Sequence, residues 1–319
     1  MSTSSLSLSS SSPTDKNEKG SHKISDCQTN TSSSFSSVSS NNSFSECESI
    51  INLHLNGLST RIVEEILPTQ TCISFDDISS FAHEGNFYFK SRISILRWID
   101  EVLDSSSLAI ESRHSIYYRF AYGYLTTTYL LTKRNIFYDK IHFKVFIVAL
   151  FLLCYKLEGL TVKALSIKTM VNTFLSSVSI SESDLTAMIR EMDIRICQML
   201  NYNVCALENN LQQMSQLLFH IISNSVLNCN EDLIETVSFN LEQTNFEIEN
   251  SNDVYLLFHL QPLERGLVSL VSALLISEPN VAPSCVDYML HELNVTHMSK
   301  ESILQYSQTY AQQINGDDC

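Results

Sequence analysis

The chain has 319 residues, with 35 acidic side chains, 20 lysines and arginines and a net charge of −15. Residues 206–319 carry 15 acidic and two basic side chains, whereas residues 91–205 carry 10 acidic and 13 basic ones. Phosphate backbones bind to basic faces, so we exclude nucleic acid as the main ligand. The nine cysteines are scattered and contain no CxxC pair, which favours an intracellular setting, nuclear or cytoplasmic, over a disulfide framework or a zinc site.

The first 90 residues divide into two segments. Residues 1–48 are rich in serine and poor in large apolar side chains; such a tail cannot bury enough apolar surface to fold, and we expect it to be disordered. No basic start followed by an apolar stretch indicates a signal peptide. Residues 49–90 form a leading segment, in which apolar spacing predicts short helices over 50–66 and 74–83.

The remainder of the chain predicts an all-α protein, because glycine and proline are sparse and apolar residues recur at three- and four-residue spacing. The first domain, 91–204, should contain helices at 91–103, 111–132, 138–158, 163–176 and 182–200. The second domain, 205–315, should contain helices at 207–227, 230–248, 261–277, 284–294 and 298–314, with a short helical turn near 252–259. The longest apolar run, Val145 to Tyr155, is too short to span a bilayer and predicts a buried core helix.

The two sets of five helices, each with a strongly apolar third member, suggest an architectural duplication without a visible sequence repeat. Three cysteines, Cys154, Cys197 and Cys205, lie in apolar helical patterns, where a free cysteine is expected to behave as a small hydrophobe.

The first predicted helix has two adjacent stripes at helical spacing. One contains Arg92, Leu96, Ile99 and Leu103; the other contains Ser91, Ile95, Trp98 and Val102. A single stripe is enough to pack the helix on a core. The second stripe is either a broader core face or an exposed apolar groove, and both interpretations of Trp98 remain open at the level of sequence.

Three groups of residues resemble the cyclins, the regulatory subunits of cyclin-dependent kinases. The opening helix of a cyclin box has an arginine, a tryptophan six residues later and a glutamate three residues after that; here they are Arg92, Trp98 and Glu101. The third box helix of the family ends in a lysine and glutamate signature, which reads here Cys154-Tyr155-Lys156-Leu157-Glu158-Gly159. In the fifth helix, Asp193, Leu200 and Tyr202 match the family's acidic, leucine and aromatic positions, with aspartate in place of glutamate.

The resemblance covers roughly residues 88–315, and it implies tandem five-helix cyclin folds. The second half, with Gln261-Pro262-Leu263-Glu264 before an apolar helix, is most similar to D-type cyclins. Two departures concern the first helix. Ser91 stands where the family has methionine, and no acidic residue lies between Glu111 and Asp139, where the family places the aspartate that pairs with the opening arginine.

Arg92 is therefore expected to have a structural role with a different partner. The candidates are a backbone carbonyl, an acid of a leading helix (Asp76 or Asp77) and the tyrosine hydroxyls of Tyr118, Tyr122 and Tyr124. Partial exposure of the guanidinium is the remaining alternative, because an unpaired buried arginine costs several kcal/mol.

The resemblance also implies two binding sites. Its kinase-binding residues are Lys156, Asp193, Phe151, Leu157, Glu158 and Phe174. Its groove for docking kinase substrates or inhibitors consists of Ser91, Ile95, Trp98 and Glu101. The alternative for Lys156 is a surface salt bridge near a helix C-terminus, which contributes about 0–1 kcal/mol to stability.

We therefore expect a cyclin-like subunit that binds and activates a cyclin-dependent Ser/Thr kinase and regulates the cell cycle. The alternative is a cyclin-fold adaptor or scaffold in transcription or signalling that does not activate a kinase. The sequence contains no glycine-rich phosphate loop, HExxH motif or recognisable Ser/His/Asp arrangement. We expect no enzyme activity, cofactor, metal or membrane partner.

Overall fold

The computed structural model describes residues 87–160, 174–175, 180–227, 230–251, 257, 259–293 and 298–316. Within these ranges the protein is all-helical and contains no strand, which confirms the predicted class. The predicted tail over 1–48 and both leading helices lie outside the described residues, as does most of the predicted helix over 163–176 and of the turn near 252–259.

Nine helices lie in the described part of the chain, and their bounds agree with the predictions within four residues. They are α1 (Phe87–Asp104), α2 (Ile110–Lys133), α3 (Lys140–Leu157), α4 (Glu182–Met199), α5 (Leu211–Ser225), α6 (Glu231–Asn250), α7 (Pro262–Ser277), α8 (Ala282–Leu293) and α9 (Lys300–Asn315).

The two largest differences from the predicted bounds have local causes. Helix α1 includes a turn before its predicted start, and that turn contains the buried Tyr88, whose carbonyl accepts a hydrogen bond from the Tyr124 hydroxyl at 2.5 Å. Helix α5 begins four residues later, because the buried Asn210 caps it by accepting from the Gln213 N–H at 3.1 Å. Before Asn210 the chain forms a 3₁₀ turn, Val204–Glu208.

The core consists of two large apolar clusters, one in each half of the described chain. The first is built from residues between Tyr88 and Leu207, and the second from residues between Met214 and Ile303. Helix α3 packs against α2 and α4 in the first cluster, whereas α7 packs against α5, α6 and α9 in the second. Each half is therefore organised around its most apolar helix, as the run Val145–Tyr155 indicates for the first.

The cysteine prediction is only partly right. Cys154 is fully buried, and burial raises the pKa of its thiol to about 12, so the group stays protonated and unreactive near neutral pH. Cys197 is partly buried, but Cys205 is exposed and does not pack in the core as a small hydrophobe would.

Candidate partner-binding face

Lys156 lies in the last turn of α3, at the end of the most deeply buried helix of the first half. Asp139 caps the start of this helix, where its side chain accepts from the Ile141 and His142 backbone N–H groups. Eleven residues of α3 are buried, so the helix is held from end to end by the core. The Lys156 side chain emerges where this helix ends, with 46% of its surface exposed.

The Lys156 ammonium donates to the Asp193 carboxylate, with Nζ and Oδ2 2.7 Å apart. This confirms the prediction that the two charges lie within a few ångströms of each other. The pair forms because α4 packs along α3, and because Ser181 starts α4 by accepting from the Asp184 N–H. Residues 37 positions apart in sequence thus share one surface.

The Asp193 carboxylate has one oxygen that the described residues do not use. Its Oδ1 is buried and has no hydrogen-bond partner among them, although a carboxylate oxygen normally accepts at least one bond when it is removed from water. The lysine ammonium can in turn donate up to three hydrogen bonds. Next to the pair in sequence, Leu157 is partly buried and Ile194 is 57% exposed. The site therefore combines a cation, an acceptor and apolar surface.

Two of the predicted kinase-binding residues, Phe151 and Phe174, have packing partners elsewhere in the first half of the chain. Phe151 is completely buried in the core, so its assignment to a binding face was wrong. Phe174 stacks on Trp98, with ring centroids 4.3 Å apart, and its carbonyl accepts from Lys144 at 3.1 Å. Phe174 thus packs beside Trp98 of α1 and the Lys144 side chain of α3.

Glu158 belongs to an internal charge network. It accepts from the Ser115 hydroxyl at 2.9 Å and forms an ion pair with Arg119, which also bonds Glu208 at 2.8 Å. Burial by itself would raise the pKa of the Glu158 carboxyl, but the hydrogen bonds from Ser115 and Arg119 outweigh it and the pKa lies below its ordinary value. Glu158 therefore already has partners that hold the end of α3 against α2.

The predicted docking groove on α1 is only partly present. Ile95 is 7% exposed and belongs to the core, so its assignment to an exposed groove was wrong. Trp98 is partly buried and packs against Phe151 and Phe174, which places it between the two interpretations of the sequence. Ser91 is partly buried, and Glu101 is exposed. Of the two apolar residues in the predicted groove, Trp98 is thus partly exposed and Ile95 is buried.

Arg92 has a partner that sequence reasoning missed. Its guanidinium bonds both the carboxylate and the backbone carbonyl of Glu249, 157 residues later in α6. Arg92 is 1% exposed and Glu249 is fully buried, so the alternative of partial exposure was wrong and the carbonyl alternative was right in part. Glu249 extends the buried stripe of α6 formed by Leu241, Asn245 and Ile248; an acid in such a stripe was the available signal.

Comparisons with known proteins identify no relative of this chain: no family model, curated protein or solved structure matches it. The described residues contain no group of three histidine, cysteine, aspartate or glutamate side chains placed to hold a metal ion. No helix in the described ranges is both long and apolar enough to cross a membrane.

Proposed function

We propose that this protein is a cyclin-like regulatory subunit that binds and activates a cyclin-dependent Ser/Thr protein kinase. The observation that carries the proposal is the Lys156–Asp193 pair, which lies at the positions where the resemblance places the family's kinase-binding lysine and acid. The two residues approach to 2.7 Å on a surface that the described chain leaves open.

The chemistry of the pair suits recognition of a partner's main chain. The half-exposed ammonium can donate to a backbone carbonyl at the end of a kinase helix, and the free Oδ1 can accept from a backbone N–H once side chains adjust to admit it. Both groups are charged, and hydrogen bonds to charged groups are about twice as strong as those between neutral groups. Contact at Leu157 and Ile194 would exclude water from these bonds. Holding the kinase's regulatory helix in place is how such contacts would raise activity.

A surface salt bridge of the same geometry elsewhere provides the matched control. Lys300 and Asp287 pair at 2.6 Å in the second half of the chain, with partly exposed side chains like those of Lys156 and Asp193. Replacing Lys300 and Asp287 by alanine removes one lysine and one aspartate but leaves the proposed kinase face intact.

The experiment has two steps. The full chain is first purified from its native cells, the bound proteins are identified by mass spectrometry, and the complex is assayed for histone or peptide phosphorylation. The Lys156→Ala/Asp193→Ala and Lys300→Ala/Asp287→Ala variants are then titrated against the purified kinase. We expect the first variant to weaken binding by about 2 kcal/mol or more, roughly thirtyfold, and the second to bind normally.

Folding of each variant is checked by circular dichroism and thermal melting before binding is measured. Normal kinase binding by Lys156→Ala/Asp193→Ala would refute the proposed face. Recovery of a complex that contains no kinase and has no phosphorylating activity would refute the function and favour the adaptor alternative.

A further inference from the structure

A cavity of about 660 Å³ lies where the end of α2, the end of α4 and the start of α7 meet. Its volume falls in the range of small-molecule sites. The described residues around it supply three cations, Lys133, Arg134 and Arg265, and no carboxylate. Tyr122, Tyr129 and Leu257 are among its other walls. A cavity whose described charged residues are all cations is unexpected in a chain whose net charge is −15.

Arg265 is a buried cation in the wall of this cavity. It is 2% exposed, and its Nε and Nη1 atoms are buried without a hydrogen-bond partner among the residues that the structure describes. Its guanidinium carbon lies 5.8 Å from the centre of the Tyr122 ring. Burial lowers the pKa of Arg265, and the attraction of Glu249 offsets this only in part. Glu249 is already bonded to Arg92, so the cluster of Arg92, Glu249 and Arg265 has one positive charge in excess.

The helix dipoles explain the cations at the mouth of the cavity but not Arg265. Lys133 and Arg134 are exposed and lie at the C-terminal end of α2, where a helix favours positive charge. Arg265 lies close to the N-terminus of α7, where a helix favours negative charge. The neighbouring Glu264 accepts from the Gln261 backbone N–H at 2.9 Å and so serves the cap of α7. A buried cation at the positive end of a helix is costly unless an anion joins it.

We propose that this cavity is a binding site for a phosphate monoester whose organic part is apolar or aromatic. The phosphate would lie between Arg265 and the two cations at the mouth, because a guanidinium fork matches the spacing of phosphate oxygens. The organic part would pack on the tyrosine rings and on Leu257. Binding neutralises the excess charge at the junction of the two halves of the described chain. The proposal is independent of the kinase-binding face.

The test uses the full chain with three probes: phenyl phosphate, inorganic phosphate and phenol. Binding is measured by isothermal titration calorimetry, and stabilisation by the shift in melting temperature. We expect saturable binding of phenyl phosphate, about tenfold weaker binding of inorganic phosphate, and none of phenol, because the charged contacts and the apolar contacts both contribute. Equal affinity for the two phosphates would overturn the assignment of an ester with an apolar body, and no saturable phosphate binding would overturn the site.

Two variants and one control locate the site. Arg265→Met should lower phenyl phosphate affinity by a factor of about 10–100, the range for a hydrogen bond to a charged group. Without ligand its melting temperature should equal or exceed that of the wild type, because the variant removes a buried unpaired charge; a large fall in melting temperature would contradict the argument. If Arg265→Met does not fold, Lys133→Gln/Arg134→Gln alters only exposed residues and should weaken binding about tenfold. Arg97→Gln removes an exposed arginine outside the cavity, and a loss of binding equal to that of the cavity variants would refute the location.

Discussion

The buried pair of Arg92 and Glu249 joins α1 of the first half to α6 of the second, and we expect Glu249→Gln to be strongly destabilising. The substitution preserves the shape of the side chain but removes its charge. Arg92 would then be an uncompensated cation that is 1% exposed, with the buried Arg265 close enough to repel it. Removing one member of a buried ion pair costs about 3–5 kcal/mol. We expect the loss in free energy of unfolding to lie in that range.

Urea unfolding followed by circular dichroism and by Trp98 fluorescence measures this loss. The exposed pair of Glu191 and Arg195, 2.6 Å apart on α4, supplies the control, because Glu191→Gln should cost about 0.5 kcal/mol or less. The double variant Arg92→Met/Glu249→Leu should recover most of the stability lost in Glu249→Gln, since an apolar pair of similar volume replaces both charges.

If Glu249→Gln lowered the free energy of unfolding by less than about 1 kcal/mol, the argument that the Arg92 and Glu249 charges are shielded from water and stabilise each other would be refuted. The same conclusion would follow if the double variant were less stable than the single one, because the cost would then come from lost shape and not from an orphaned charge. Separate transitions for the two spectroscopic signals would show that the two halves unfold independently and that the pair does not couple them.

Three further predictions concern packing and pH. Trp98→Ala should lower the free energy of unfolding in urea by about 2–4 kcal/mol, because Trp98 stacks on Phe174 and packs on the core. As a control, Phe137→Ala should lower it by about 0.5 kcal/mol or less, because Phe137 is 70% exposed. The folded-state pKa of Glu158 is lowered, so the contribution of its carboxylate to the free energy of unfolding is complete above the ordinary carboxyl pKa of about 4.3 and is lost as the pH falls through the folded value. The stability difference between wild type and Glu158→Gln should therefore shrink only below about pH 4.5. A constant difference down to about pH 2 would contradict this. Gly266→Ala should lower the free energy of unfolding by about 1–3 kcal/mol, because the new methyl group would lie 2.9 Å from the Ser215 backbone nitrogen. Gly123→Ala should cost less, because its methyl group would meet only the movable ends of leucine side chains. Equal losses in urea unfolding would refute the distinction.

The helical class and the positions of the nine described helices could be predicted from the sequence, because they depend on local patterns. The Val145–Tyr155 run predicts the core helix of the first half, and Ser181 marks the start of α4 through its side-chain oxygen. Bounds were wrong only where a local detail intervened, as at Asn210, whose side chain delays the start of α5.

The proximity of Lys156 and Asp193 could be predicted only with the help of the cyclin resemblance. The spacing of apolar residues along the sequence does not determine the angle or the register at which two helices pack. Ile95 and Phe151 are buried in the core, whereas Trp98 is partly exposed. The sequence could not predict this difference, because all three residues belong to apolar stripes and their exposure depends on which helices cover them.

The two buried arginines show most clearly what the tertiary structure decided. The sequence shows that Arg92 lacks the acid that the cyclin resemblance would pair with it, but the partner is 157 residues away, and no local pattern encodes a contact at that separation. The burial of Arg265 and its place in a cavity likewise arise only when α7 packs beside α2 and α4. Local periodicity determines which residues face inward, whereas the packing of one helix on another determines which charges meet there and which are left without a partner.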